Sequence, residues 1–225
     1  GIFWYLLSPL SLFLILLFIR GNISGVEPIV HYPLYLLIGL VMINFFSQLI
    51  HSAIGVIQNN SGFIKSIKIP LEVFVFSIVL QSIFSHAFEI LLIALFFIYF
   101  HVSLVGILFY LIVFVFFAIF VLGLCLFSAT LGLYVSDLGN IWTIASQLLF
   151  FLTPTFYIVH PGTSLYLGNL FNPIFYFMTA ARDVAIYGTM PEWWMVVVML
   201  AVSVLSFCIG TSVFNKFKGR FAELV

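Results

Sequence analysis

Six long apolar runs constrain this chain more than any single motif does. They cover Ile2–Ile19, Pro33–Ile57, Leu71–Phe100, Leu104–Tyr134, Ile141–Val159 and Trp193–Phe214. A helix needs about 20 apolar residues to cross a hydrocarbon layer about 30 Å thick. The runs are continuous rather than alternating with a period of two, which favours helices over a membrane barrel. Only 6% of the 225 residues are charged and 64% are hydrophobic, whereas soluble domains carry roughly 25% charged residues. A mean hydropathy of +1.31 points the same way. The expected fold is an all-α integral membrane protein: one transmembrane domain over residues 1–225, with six spans, the third long enough to tilt.

The lysines and arginines orient those spans. Lys65 and Lys68 lie between spans two and three, and Lys216, Lys218 and Arg220 follow span six. With six spans these segments share one side, leaving Arg20 and Arg182 opposite. Both termini and the 59–70 loop are therefore predicted to be cytoplasmic. Residues 160–192 do not read as a simple external loop. Pro161, Gly162, Asn172–Pro173, Gly188 and Pro191 break them into the pieces Leu165–Leu170 and Ile174–Ile186, too short to span. Backbone broken at membrane depth needs protein or water partners, so the segment is predicted to dip back into the outer leaflet as two short re-entrant helices. Trp193 and Trp194 then anchor span six at the interface.

A net charge of zero implies no attraction to nucleic acid. Cys125 and Cys208 are far apart inside apolar runs and read as packing residues, with no metal or redox spacing. No phosphate-binding G-x-x-x-x-G-K-[ST], zinc H-E-x-x-H or esterase G-x-S-x-G motif is present. The chain is thus not expected to hydrolyse a nucleotide or catalyse bond chemistry, and no metal or cofactor is expected in it.

Polar residues within spans are costly and mark function. Asn44, Gln48 and His51 fall on one face of span two and are candidates for lining a polar path. Span three carries Gln81, Ser82 and Ser85, with His86 and Glu89 one turn apart. This pair serves a hydrated path, a proton relay, or a helix-to-helix hydrogen-bond cluster. Between spans two and three, "NNSGFIKSIKIPLE" (Asn59 to Glu72) sets Ile64, Ile67 and Ile69 beside Lys65 and Lys68. Pro70 suits a first helical turn and Glu72 suits the positive helix end. That stretch contacts either lipid headgroups or a cytoplasmic partner.

Four segments in order resemble ABC-2-type transporter permeases, especially bacterial polysaccharide exporters. "GIFWYLLSPL" is similar to the family's entry to span one. Asn60, Ile67–Lys68, Pro70 and Glu72 resemble its Asn…Ile-x-Lys-x-x-x-Pro-x-Glu segment. Asp137, Leu138, Phe150, Phe151, Thr153 and Pro154 resemble its Asp-Leu…Phe-Phe-x-(Ser/Thr)-Pro pattern, and Asn172, Pro173 and Arg182 its Asn-Pro…Arg segment. Ser136 stands where the family usually has an arginine. The resemblance implies a homodimer in the bacterial cytoplasmic (inner) membrane, docked on a separate ATPase that holds ATP and magnesium. It implies that Asn60, Ile64, Lys65, Ile67, Lys68, Pro70 and Glu72 couple to that ATPase. Pro154, Asn172, Pro173 and Arg182 would shape an external gate. The cargo would be a lipid-linked glycan such as O-antigen, capsule or teichoic acid; alternatives are export of a drug or simple lipid, and proton-coupled carriage through His86 and Glu89.

Overall fold

The computed structural model describes residues 2–23, 27–66 and 69–221. All regular structure among the described residues is helical. The helices are α1 (Ile2–Asn22), α2 (Tyr32–Asn59), α3 (Ser61–Ser66), α4 (Glu72–Tyr99), α5 (Val105–Tyr134), α6 (Leu138–Leu152), α7 (Ser164–Asn169), α8 (Pro173–Arg182) and α9 (Trp193–Phe217). A π-helical turn, Asp183–Tyr187, extends α8, and a 3-10 turn, Lys218–Arg220, ends α9.

Four segments are long and apolar enough to cross a membrane: Tyr32–Ser66, Glu72–Tyr99, Val105–Tyr134 and Trp193–Arg220. Each begins within one residue of its apolar run, because backbone punctuation sets the starts. His31 enters the left-handed region with φ of 52° just before α2, and Pro33 occupies its first turn, where a missing N–H costs nothing. His101, with φ of 55°, turns the chain between α4 and α5.

The fifth run behaves differently from expectation. Its helix stops at Leu152 instead of continuing to Val159, leaving 15 residues, about 22 Å of rise. The cause is Thr153–Pro154. A residue before proline is pushed out of the α region, and Thr153 is extended with ψ of 137°. The two predicted short pieces of residues 160–192 do form, as α7 and as α8 with its π turn. Thr163 and Asn172 cap them by accepting from the Tyr166 and Ile174 amides.

Helix α2 is the centre of the molecule, with Leu34, Leu36, Leu37, Ile38, Leu40, Val41 and Met42 wholly buried. It packs against α4, α5, α6, α8 and α1. On the far side α5 and α9 form the tightest seam. A Cβ on Gly210 would run into the Gly123 carbonyl, so small residues set the closeness of approach. Ser203 and Ser206 reinforce the seam by donating to the Phe116 and Phe120 carbonyls at 2.9 and 2.8 Å. Cys125 on α5 is buried and Cys208 on α9 is exposed, both as free thiols. Helix α6 has no buried residue among those described and leans chiefly on α2 and α5.

Candidate functional site

Three regions carry the polar residues singled out in the sequence. The first is the hairpin joining α2 to α4. Asn60 ends α2, donating through Nδ2 to the Val56 carbonyl at 2.7 Å. Helix α3 then projects from the body with no buried residue; Phe63 and Lys65 are exposed, and half-buried Ile64 packs back against the core. Ile67 and Lys68 lie outside the described residues. Pro70 sits two residues ahead of the first α4 residue rather than inside its first turn, and its carbonyl accepts the Val73 amide at 3.1 Å. Glu72 opens α4, and Lys218 from the end of α9 donates to its carboxylate at 2.6 Å. That ion pair ties the tail to the hairpin; the basic tail was visible in the sequence, but its partner was not.

The second region is a pocket of about 110 Å³ between α2 and α4. Asn44, Gln48 and Ser52 line it from α2, and Gln81, Ser82, Ser85 and Glu89 from α4. At its wall a string of hydrogen bonds runs inward. Glu89 Oε2 lies 2.8 Å from His86 Nδ1, and His86 Nε2 lies 3.0 Å from the Tyr110 hydroxyl. Tyr110 donating to Nε2 and Nδ1–H donating to the carboxylate satisfy all three groups. His86 is 1% exposed, stacked on Phe114 with centroids 3.9 Å apart, while Glu89 keeps 12% on the pocket. The cluster therefore joins α4 to α5 as well as facing α2. Tyr110 stands in a phenylalanine-rich run with no local signal of its role.

Asn44 and Gln48 thus meet the span-three polar residues, but His51 does not join them. It is exposed and lines an adjoining pocket of about 530 Å³ with Gln58, Asn59, Asn60, Ser136 and Gly139, which meets the first at Ser52 and Ile78. Helical spacing put the three on one face, but His51 is two turns below Asn44, where that face opens onto the α5–α6 turn and meets α4 only through apolar Ile78.

The third region surrounds the break after α6. Arg182, 3% exposed at the end of α8, fans its guanidinium over three backbone carbonyls. Nε donates to Tyr35 at 3.1 Å, Nη1 to Pro154 at 2.7 Å and Nη2 to Thr155 at 2.7 Å. Its Cζ lies 3.4 Å from the Tyr35 ring centroid. Gly39 makes room for it, since a Cβ there would strike Nη2 and the Thr155 carbonyl. Asn172 adds a bond from Nδ2 to Thr153 Oγ1 at 2.7 Å, and Pro173 begins α8. Pro154, Asn172, Pro173 and Arg182 therefore converge on one turn. Sequence reasoning missed Tyr35, Gly39 and Thr155, whose parts are played by a ring face, an absent side chain and a carbonyl. Nearby, His160 Nε2 pairs with Glu27 at 2.8 Å, linking this turn to the α1–α2 connection. No group of three or more potential metal ligands occurs among the described residues.

No protein-family model matches the chain. Two curated proteins of Klebsiella pneumoniae, each described as "O-antigen export system permease protein RfbA", do. One is 24% and the other 25% identical over 228 residues, covering 100% of this chain and 87% of each relative. From end to end, then, the chain is similar to O-antigen export permeases, in agreement with the ABC-2-type polysaccharide exporters that its own segments resemble.

Proposed function

We propose that this chain is the membrane-spanning permease subunit of an ATP-binding-cassette exporter that moves a lipid-linked polysaccharide, driven by a separate ATPase. The observation that carries this reading is the likeness to O-antigen export permeases along the whole chain. The structure adds physical support in three places. Helix α3 is a projecting knob with Phe63 and Lys65 exposed, held between two long helices, a shape suited to pressing into a partner's cleft. ATP and magnesium belong to that partner, and Ile64, Lys65, Ile67 and Lys68 would bear on it.

Helix α6 supplies the second support. One face of α6 rests on α2, where Trp142 donates to the Ser47 carbonyl at 2.9 Å, and polar side chains on its open face at membrane depth ask for a partner. Asn140, Thr143 and Gln147 lie along it at helical spacing, beside the exposed apolar stripe of Ile141, Ile144, Leu148 and Phe151. In a homodimer the apolar stripe packs against the second copy and the polar stripe faces a path between the two. In this reading α1 and α6 complete six spans in the bacterial inner membrane, both termini cytoplasmic, and α7 and α8 dip into the outer leaflet. The third support is the Arg182 anchor, which makes the turn around Pro154 a rigid unit at one end of that path, suited to a gate.

The discriminating experiment is co-purification with the products of neighbouring genes. A complex of two permease chains and two ATPase chains, encoded beside glycosyltransferases, is expected. Purification without any ATPase subunit overturns the proposal.

A further inference from the structure

The pocket between α2 and α4 has a composition that the proposed path does not explain. Counting about 1.5 Å per residue from the shared end of these antiparallel helices, Asn44 lies about 18 Å down α2 and Glu89 about 15 Å down α4. Ser52 lies about 30 Å down. Polar side chains thus run over two turns of each helix at membrane depth, where each is costly unless it meets a polar partner.

The arrangement is more than a helix-to-helix link. One bond joins α4 to α5, between His86 and Tyr110, and within α4 Glu89 holds the His86 ring. They leave Asn44, Gln48 and Ser82 on the pocket wall, beside Ser85, whose hydroxyl donates to the Gln81 carbonyl at 3.1 Å and keeps its oxygen as an acceptor. The string ends in the buried α4–α5 seam, so it fixes the Glu89 carboxylate against the pocket rather than carrying protons across. The wall then offers amides that both donate and accept, hydroxyls that do both, and one oriented acceptor. That is the complement of vicinal hydroxyls on a neutral sugar ring. No lysine or arginine lines the pocket, so nothing there neutralises a phosphate, and a diphosphate is the wrong occupant. At about 110 Å³ the pocket takes one edge of a ring rather than a chain of sugars.

We propose that the α2–α4 pocket is a subsite for the hydroxyl edge of a neutral or amino sugar of the passing glycan, with Glu89 the acceptor and His86 its positioning residue. This inference rests on the exporter reading, and its test separates the two. Ser85→Cys and Thr143→Cys are made separately in a Cys208→Ser background, Cys125 being buried. Native membrane vesicles are prepared from cells that make the lipid-linked glycan and from cells blocked before its first sugar. Both thiols are then titrated with a cationic methanethiosulfonate.

Glycan is expected to slow labelling at both positions at least fivefold, and Glu89→Gln to restore at least half of the rate at position 85 alone. Slowing at position 143 without slowing at position 85 overturns the subsite and leaves the exporter standing. No slowing at either position overturns both. Equal labelling at position 85 with and without glycan, however slow, means that an ordinary lipid or protein covers the pocket, and also overturns the subsite. If Glu89→Gln leaves full protection at position 85, the carboxylate has no part in holding the sugar and the assignment fails.

Discussion

Arg182→Lys isolates geometry from charge at the most constrained point of the molecule. The guanidinium makes three bonds to carbonyls of Tyr35, Pro154 and Thr155 from three different nitrogens, and stacks on the Tyr35 ring. Hydrogen bonds to a charged group contribute about 1.5–3 kcal/mol each. Lysine carries one nitrogen on a flexible stem and keeps at most one of the three at its present distance. Losing two bonds and leaving buried carbonyls unpaired costs about 3–5 kcal/mol. For a chain of this size that is a fall in melting temperature on the order of 10 °C. Thermal unfolding of the detergent-purified protein, followed by fluorescence-detected gel filtration, reads the shift. Arg20→Lys is the control, since Arg20 is only half-buried, donates to the Glu27 carbonyl and stacks on Tyr32 at 4.0 Å; it should move the midpoint less, because a charge contact that keeps access to solvent contributes less than a buried one. A fall no larger for Arg182→Lys than for Arg20→Lys would refute the claim that the three-carbonyl fan anchors the turn.

Gly39→Ala drives a methyl into the same guanidinium and should cost about 1–3 kcal/mol, as overpacking does. Combined with Arg182→Lys it should cost less than the sum, and full additivity in the same thermal assay would deny their contact. Burial pushes the Asp183 carboxyl from 3.8 up to about 6. A raised carboxyl contributes stability that is present below the unfolded value and lost as pH rises through about 6. Asp183→Asn should therefore melt higher than the parent at about pH 7.5 and equally at about pH 4, and an unchanged difference between the two would contradict the assignment. Lys68→Glu should weaken ATPase association in pull-downs without moving the melting temperature, and unaltered association would remove Lys68 from the docking surface.

How far the sequence revealed these features follows from what each depends on. The long helices are legible because hydrophobic runs and the polar breaks between them act locally. The end of α6 was also in the sequence, at Thr153–Pro154, but the apolar residues beyond it masked the stop. The His86–Glu89 contact follows from spacing alone; that Tyr110 completes it depends on which face of α5 meets α4, which its phenylalanine-rich run does not specify. Arg182 was recognised as special, but its partners are backbone carbonyls that every residue possesses. Only Gly39, a glycine inside an apolar helix, hinted at where the guanidinium would fit. His51 shows the limit of helical periodicity, which gives the direction of a side chain but not the neighbour present at its depth.

The central claim is that this subunit provides the passage while a partner supplies the energy. Reconstitution into liposomes measures it directly, with lipid-linked glycan on one face and its appearance on the other as the signal. Accumulation against a gradient is expected only when the chain, its ATPase partner and ATP are all present. Uphill movement by the chain alone would contradict it, as would no movement with all three.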